Sequence, residues 1–210
     1  MIRILIADDH AIVRAGLKQF LSDAPEMQVV REAADGDEAV QAVREEELDV
    51  VLLDISMPRK NGIDALRQIR GLRPALPVLM LSGYADTLYA VHLIKAGASG
   101  YINKQSSPDE MIGAIRTLVS GKRYVSPAVA QSLVNHLGCP AEQDPFDTLS
   151  PREVQILHRL ARGESLSAIA DELCLSVKTV STYRHRIFEK MGFLNNADIT
   201  CYALKKGLIE

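Results

Sequence analysis

Short aliphatic blocks alternate with longer amphipathic stretches over the first 120 residues, and this alternation limits the possible folds more than any other feature. Residues 2–7, 50–53 and 78–81 are nearly continuous aliphatic runs, with weaker blocks at 27–30 and 100–102. Runs of this kind are typical of strands buried on both faces of a parallel sheet. Five strand–helix units in series predict a doubly wound α/β domain with a five-stranded parallel sheet and right-handed crossovers.

Amphipathic stretches between these blocks predict the helices, and two of them have clear start signals. Asp35 and Ser107 each place a capping oxygen three residues before a Glu, and Pro108 suits a first helical turn. The predicted helices cover residues 12–22, 36–46, 62–70, 86–96 and 108–120.

The pattern changes after Gly121, where strand-like blocks no longer occur. Residues 122–147 contain three prolines and a polar stretch, which favours a linker with one helix at 127–137. A capping box at Ser150 and Glu153 opens an all-α region. Two short helices and a tight turn into a longer one are typical of a helix-turn-helix. The predicted helices are 150–162, 165–173, 177–191 and 196–206, and the predicted segments are a domain at 1–121, a linker at 122–147 and a domain at 148–210.

Charge and cysteine content favour a cytoplasmic protein that binds nucleic acid. Residues 1–120 hold 13 Lys and Arg against 17 Asp and Glu, whereas residues 148–210 hold 9 against 7. An acidic first part and a mildly basic second part suit a C-terminal DNA-binding domain. Cys139, Cys174 and Cys201 match neither a disulfide framework nor a zinc spacing. No apolar run reaches the roughly 18 residues that span a bilayer, and no signal-peptide pattern occurs, so no membrane partner is expected.

Polar side chains stand where the predicted strands of the first domain end. Asp8 and Asp9 follow the first strand, Asp54 ends the third, Ser82 follows the fourth and Lys104 the fifth. In open α/β sheets ligands bind outside the carboxyl ends of the strands, where the strand order reverses. For the order 2-1-3-4-5 this point lies between strands 1 and 3, so we expect the five side chains around one pocket.

Three carboxylates in one pocket raise each other's pKa unless a cation joins them. Mg²⁺ prefers oxygen ligands and keeps an open position for a phosphoryl oxygen. Asp54 on a strand end can act as the nucleophile and form an aspartyl phosphate, while Lys104 and Ser82 contact the transferred group. Two other interpretations remain open at this point: the acidic pair can simply cap a helix, and His10 can either ligate a metal or begin that helix.

The spacing of these residues resembles the receiver domain of two-component systems over essentially all of residues 1–120. The residues that carry the resemblance are Asp8, Asp9, Asp54, Met57, Pro58, Gly62, Ser82, Tyr101 and Lys104. The resemblance implies a flavodoxin-like fold, a sensor histidine kinase as partner and Asp54 as the phospho-acceptor. It also implies Mg²⁺ held directly by Asp9, Asp54 and the Ser56 carbonyl and through water by Asp8, with Ser82 and Tyr101 moving on phosphorylation.

The helix predicted at 177–191 has one apolar and one polar face at 3.6 residues per turn. Val180, Ile187 and Met191 share the apolar face. A polar face of small and basic groups can enter the DNA major groove, although a solvated amphipathic helix has the same pattern. The residues of the polar face are Lys178, Ser181, Thr182, His185 and Glu189.

The wider C-terminal pattern resembles the LuxR-type DNA-binding domain over residues 148–210. It is carried by the motif at 149–153, by Gly163, Ile169, Ala170, Leu173 and Ser176, and by residues 178–180, 183–184, 190–192 and 196–197. A receiver followed by this domain is the NarL/FixJ arrangement, which implies a regulator that dimerises through its last helix, 196–206, on phosphorylation. The resemblance implies base contacts by Ser181, Thr182 and His185 and phosphate contacts by Lys178, Thr179, Tyr183 and Arg184.

The two rival classes of protein are phosphatases and phosphorelay adaptors. Haloacid-dehalogenase-type phosphatases also use a Mg²⁺-bound Asp nucleophile, but they carry a second acid two residues later, where this chain has Ser56. A phosphorelay adaptor would need a C-terminal domain that binds no DNA. The sequence therefore predicts a DNA-binding transcriptional regulator and not an enzyme.

Overall fold

The computed structural model describes residues 1–83, 87–127, 129–131, 145–206 and 208–209. The chain divides into two compact units, one of Met1–Ala85 and Leu93–Ala130 and one of Asp86–His92 and Gln131–Glu210. Cys139 and most of the helix predicted at 127–137 lie outside the described residues, and the boundaries predicted at 121 and 148 stay predictions.

The first unit contains a five-stranded parallel sheet in the order β2-β1-β3-β4-β5, as predicted. Every residue of β3 and β4 is buried, because these central strands are covered on both faces. The edge strand β2 is longer than predicted, since an edge position tolerates the polar Arg31 and Glu32 that interrupt its apolar pattern. The strands are β1 (Ile2–Ala7), β2 (Met27–Ala33), β3 (Val50–Asp54), β4 (Val78–Ser82) and β5 (Gly100–Asn103).

Helices follow the strands in sequence, with ends close to the predicted ones. Asp35 accepts hydrogen bonds from the backbone of Asp37 and Glu38, and Ser107 accepts one from Glu110, which confirms both predicted caps. One core joins buried residues of β1, β3 and β4 with those of the first and fifth helices. The helices are α1 (Ala11–Ser22), α2 (Gly36–Glu45), α3 (Gly62–Leu72), α4 (Thr87–Lys95) and α5 (Pro108–Val119).

From residue 145 onward the described part of the second unit starts with a 3₁₀ turn, Pro145–Thr148, and a complete capping box follows it. Ser150 accepts from the backbone N–H of Glu153, and the Glu153 carboxylate accepts from the backbone of Ser150 at 2.7 Å. The helices are α6 (Pro151–Ala161), α7 (Leu166–Glu172), α8 (Val177–Met191) and α9 (Asn196–Lys205).

Two residues with a left-handed backbone conformation lie before and after α8. Cys174, with φ of 50°, makes the turn between α7 and α8, and Gly192, with φ of 69°, ends α8. Val180 and Ile187 of the predicted apolar face are fully buried, whereas Met191 at its end is half-buried. In the described part of the chain, no helix is both long and apolar enough to cross a membrane.

Candidate acidic pocket and nucleic-acid interface

The carboxyl ends of the parallel strands bring Asp8, Asp54 and Lys104 together. Asp8 directly follows β1, Asp54 ends β3 and Lys104 directly follows β5. The Lys104 ammonium lies 2.7 Å from Asp8 Oδ2 and 2.9 Å from Asp54 Oδ2, so one cation bridges two carboxylates. Three of the five side chains expected around one pocket therefore meet, and sheet topology alone explains where they do so.

Asp9 and His10 complete a cluster of potential metal ligands at this pocket. Ligand atoms of Asp8, Asp9, His10 and Asp54 all lie within 4.8 Å of one another. His10 begins α1, and its Nδ1 lies 2.8 Å from Asp9 Oδ1, so both interpretations left open for His10 fit its position. Three carboxylates against one ammonium leave an excess of negative charge on oxygen donors, and this donor set fits Mg²⁺.

Burial makes the charged form of Asp54 costly. The side chain is 2% exposed, and burial raises its pKa to about 6 despite the opposing charge of Lys104. The neighbouring charge of Asp8 contributes to this raised pKa. Burial alone would lower the pKa of Lys104, but Asp54 and Asp8 together raise it overall. Lys104 is therefore a fixed cation, while Asp54 titrates within reach of neutral pH.

The loop from β3 to α3 is packed against the pocket. A Cβ on Gly62 would lie 1.9 Å from the Asp54 carbonyl oxygen, so only glycine fits there. The Gly62 N–H donates to the Ile55 carbonyl at 3.0 Å, and Asn61 caps α3 through the Asp64 N–H. The Ser56 backbone donates to Asp54, which orients this carboxylate within the pocket.

Arg59 in the same loop is a residue that the sequence analysis did not single out. It has a φ of 58°, and its guanidinium pairs with the fully buried Asp35 at the start of α2. The Lys60 carbonyl accepts from the Gly36 N–H at 2.9 Å. Two contacts thus hold the loop against the start of α2. The left-handed backbone conformation is the feature that distinguishes Arg59 within this loop.

Ser82 and Tyr101, the predicted switch residues, are both buried. Ser82 is 1% exposed at the end of β4, and its carbonyl accepts from the Lys104 N–H at 2.7 Å. Tyr101 is 6% exposed on β5. The Tyr101 N–H donates to the Tyr124 carbonyl at 3.3 Å, which links β5 to the segment that follows α5.

The polar face of α8 is exposed, as its spacing predicted. Lys178, Ser181, Thr182 and His185 are exposed, while Thr179, Tyr183 and Arg184 are half-buried. The N-terminal half of α8 lines a cavity of about 360 Å³ together with Ser176. The lining residues are Ser176, Lys178, Thr179, Thr182, Tyr183 and Arg186.

Arg184 and Arg186 of this helix make different contacts. Arg186 lines the cavity, with its guanidinium 5.9 Å from the Tyr183 ring, although the predicted DNA contacts do not include it. Arg184 instead donates to Asn196 Oδ1 at 3.0 Å and lies over the Phe188 ring. The four-residue spacing from Lys178 through Thr182 to Arg186 was the available signal, because such residues form one row on a helix.

An ion pair ties the start of α6 to the end of α8. Lys190 Nζ donates to Glu153 Oε2 at 2.7 Å and to the Thr148 carbonyl at 3.1 Å. Burial raises the pKa of Glu153, but hydrogen bonds from Lys190 and Ser150 lower it overall. The capping residue of α6 thus also fixes the far end of the exposed helix.

Family models match both halves of the chain. The receiver domain of response regulators matches residues 4–116, and the luxR family of bacterial regulatory proteins matches residues 147–203. The response regulator GacA of Pseudomonas protegens is 39% identical over 210 residues, which cover 100% of this chain and 99% of that protein. The response regulator UvrY of Escherichia coli K12 is 36% identical over 209 residues, covering 99% and 96%.

Solved structures of response regulators are similar as well. RcsB of Salmonella enterica serovar Typhimurium, bound to promoter P1flhDC with the phosphomimetic BeF₃⁻, aligns with a TM-score of 0.68 at 26% identity. That alignment covers 96% of this chain and 97% of RcsB. A LuxR-family response regulator from Aurantimonas aligns with a TM-score of 0.60 at 38% identity, covering 63% of this chain and 95% of that one.

Proposed function

Because this chain belongs to the NarL/FixJ-type response regulators, which join a receiver domain to a LuxR-type DNA-binding domain, we propose that it is a phosphorylation-controlled transcriptional regulator. Asp54 accepts a phosphoryl group from a sensor histidine kinase, and the phosphorylated chain dimerises and binds promoter DNA. A chromosomal target implies the bacterial cytoplasm as its location. The observation that carries the proposal is the Lys104 ammonium within 3 Å of both Asp8 and Asp54.

The pocket supplies the groups that phosphoryl transfer needs. An ionised Asp54 oxygen attacks phosphorus while the bond from phosphorus to the histidine nitrogen of the kinase breaks, which leaves the histidine neutral once it holds a proton. Lys104, already held at the pocket, is placed to neutralise charge on the transferred oxygens. Mg²⁺ would be held by Asp9, Asp54 and the Ser56 carbonyl, and by Asp8 through water, and would supply further neutralisation. Ser82, at the end of the neighbouring strand β4, can donate its hydroxyl to a phosphoryl oxygen.

The strand ends also offer a route from the pocket to the rest of the receiver. A hydroxyl donated to the phosphoryl group shifts Ser82, whose carbonyl is bonded to the Lys104 N–H. Tyr101 then settles behind Ser82, and its backbone bond to Tyr124 carries the change to the segment after α5. Coupling of this kind requires an element with two arrangements that both sites bias.

The exposed face of α8 contacts the DNA bases. Ser181, Thr182 and His185 contact base edges, since small polar groups and imidazole on a helix can reach them in the major groove. Phosphates beside this face are held from the cavity by Lys178, Thr179, Tyr183 and, added from its position, Arg186, and from outside the cavity by Arg184. The similar RcsB, which is bound to promoter DNA, supports DNA binding by this arrangement of domains.

Labelling with a small phosphodonor tests the proposal. Acetyl phosphate should add one phosphoryl group to the wild-type chain in the presence of Mg²⁺ and none in the presence of EDTA. Asp54→Asn removes the nucleophile and should abolish the label, whereas Asp49→Asn, an acid outside the pocket, should leave it intact. Undiminished labelling of Asp54→Asn in intact-mass spectra would rule the assignment out.

A further inference from the structure

A second concave site lies at the amino ends of β4 and β5, whereas the acidic pocket lies at the carboxyl ends of the strands. It is a cavity of about 340 Å³ between the residues that precede β4 and β5 and the end of α5. Its lining includes three cations and no acid. The cations are Arg70 of α3 and, directly after α5, Lys122 and Arg123.

Arg70 forms the half-buried floor of this cavity without a carboxylate partner among the described residues. Its Nε donates to the Gly97 carbonyl at 2.6 Å, and its Nη2 donates to Ser99 Oγ at 2.6 Å. Its Nη1 donates to the carbonyls of Pro74 and Leu76 at 2.8 and 2.9 Å. These bonds fix the guanidinium but leave its full charge in place.

The three positively charged side chains lie close together at this cavity. Burial lowers the pKa of Arg70, and the nearby charge of Arg123 lowers it further. The side chains of Lys122 and Arg123 are exposed and form no ion pair with a described residue. The ends of α3 and α5 contribute about half a negative charge each, which offsets roughly one of three positive charges. About two positive charges remain, and these match a phosphate dianion.

Ser99 adds a neutral donor to the same wall. Its Oγ accepts from Arg70 and, at 3.2 Å, from the Val78 N–H, so its own hydroxyl proton is available to a ligand. We propose that this basic cavity binds the phosphate group of a phosphorylated small molecule, held by Arg123, Lys122 and the Ser99 hydroxyl. The site is independent of phosphoryl transfer at Asp54.

Phosphate titrations of the full chain in EDTA test the inference. Two-dimensional ¹H–¹⁵N NMR should show saturating shifts of the Gly97, Ser99 and Gly121 amides with inorganic phosphate. Adenosine monophosphate is the second arm. Tighter binding of the nucleotide identifies an organic phosphate as the ligand, and equal binding shows that the phosphate group alone is recognised.

A double variant at the rim of the cavity supplies the control. Lys122→Ala with Arg123→Ala should weaken binding by at least about tenfold, because charge-assisted bonds are the strong ones. Lys205→Ala with Lys206→Ala removes another neighbouring pair of exposed cations and should leave the affinity unchanged. Equal losses in the two double variants, or shifts confined to Ser176 and Thr179 of the recognition helix, would overturn the inference.

Discussion

The acidic pocket and the recognition helix hold their charges in opposite ways. In the pocket Asp8 and Asp54 are buried, and Lys104 bridges them. On α8 the side chains of Lys178 and His185 are exposed to solvent. Burial raises the pKa of Asp54, so ionising this carboxyl group costs free energy in the folded receiver. Binding of a metal ion or transfer of a phosphoryl group to Asp54 would change that cost. The exposed helix carries no such cost, because water solvates its charges until DNA replaces that water.

The two regions consequently differ in what determines their geometry. The pocket residues sit on strand ends that hydrogen-bond in a fixed register, such as Asp54 beside Leu81. The readout residues depend on the rotation of one helix, which is fixed by Val180, Ile187 and the Glu153–Lys190 pair. Changes in the pocket should therefore have large local effects, and changes on the helix smaller graded ones.

Mg²⁺ binding should show the largest effect. Asp9→Ala removes a direct ligand and should weaken Mg²⁺ by more than about 100-fold, while Asp8→Ala removes a partner that acts through water and should cost about 10–100-fold. Titration calorimetry on the two variants measures the difference. A larger loss for Asp8→Ala would mean that the buried acid, and not the exposed one, is the direct ligand.

The buried carboxylate of Asp54 should make the stability of the receiver depend on pH. Asp54 has a folded pKa of about 6 against the ordinary 3.8, so the folded receiver gains stability as pH falls from about 6 to about 4. Without Mg²⁺, Asp54→Asn should stabilise the receiver by about 2 kcal/mol at pH 8, allowing for partial solvent screening. The gain should vanish near pH 4 in urea unfolding experiments. A destabilised variant at pH 8 would contradict a strained pocket.

The second unit should respond to acid in the opposite direction. Burial and the charge of Arg162 lower the pKa of His158 to about 4, so the folded unit holds a neutral imidazole. The second unit should therefore be about 1.5 kcal/mol more stable above pH 6.5 than near pH 4, after allowance for solvent screening. This stability is lost as pH falls from 6.5 toward 4. Hydrogen exchange reads both regions in one sample: between pH 7 and 5, protection should fall in α6 and rise in β3. Parallel changes would remove the contrast between the two regions.

Substitutions on α8 should separate phosphate contacts from base readout. Lys178→Ala should flatten the slope of log K against log salt by about 0.9 and weaken all DNA sequences alike. Thr182→Ala or His185→Ala should instead reduce the ratio of specific to non-specific affinity by about tenfold. Arg186→Ala should resemble Lys178→Ala, because both side chains line one cavity. If Lys178→Ala changes sequence preference and the other variants do not, the helix presents a different face to DNA.

The sequence predicted the pocket better than the helix surface, for a physical reason. Parallel strands have to align their carboxyl ends, so aliphatic runs ending at Asp8 and Asp54 fix where these acids meet. The expectation that clustered acids raise each other's pKa is confirmed for Asp54, although burial is the larger cause. That burial depends on the packing of whole elements, which no local pattern records.

Helix periodicity predicted the two faces of α8 but not the fate of every side chain at their border. Arg184 and Arg186 are both basic and two residues apart, and a contact with Asn196 in α9 decides which of them turns from the cavity. The anchoring of Arg59 to Asp35 likewise depends on a contact distant in sequence. Long-range contacts between polar side chains are therefore what the sequence left undetermined.

We expect phosphorylation in the buried pocket to control DNA binding by the exposed helix, and one paired measurement tests this coupling. Wild type, Asp54→Asn and Ser82→Ala are compared under acetyl phosphate and Mg²⁺ by sedimentation and by titration of a genomic fragment selected for binding. Wild type should dimerise and bind about 5- to 150-fold more tightly on phosphorylation. Ser82→Ala should accept phosphate yet dimerise and bind poorly, and Asp54→Asn should not respond. If phosphorylated wild type stays monomeric while its DNA affinity rises, dimerisation is not the route, and release of a masked recognition helix replaces it.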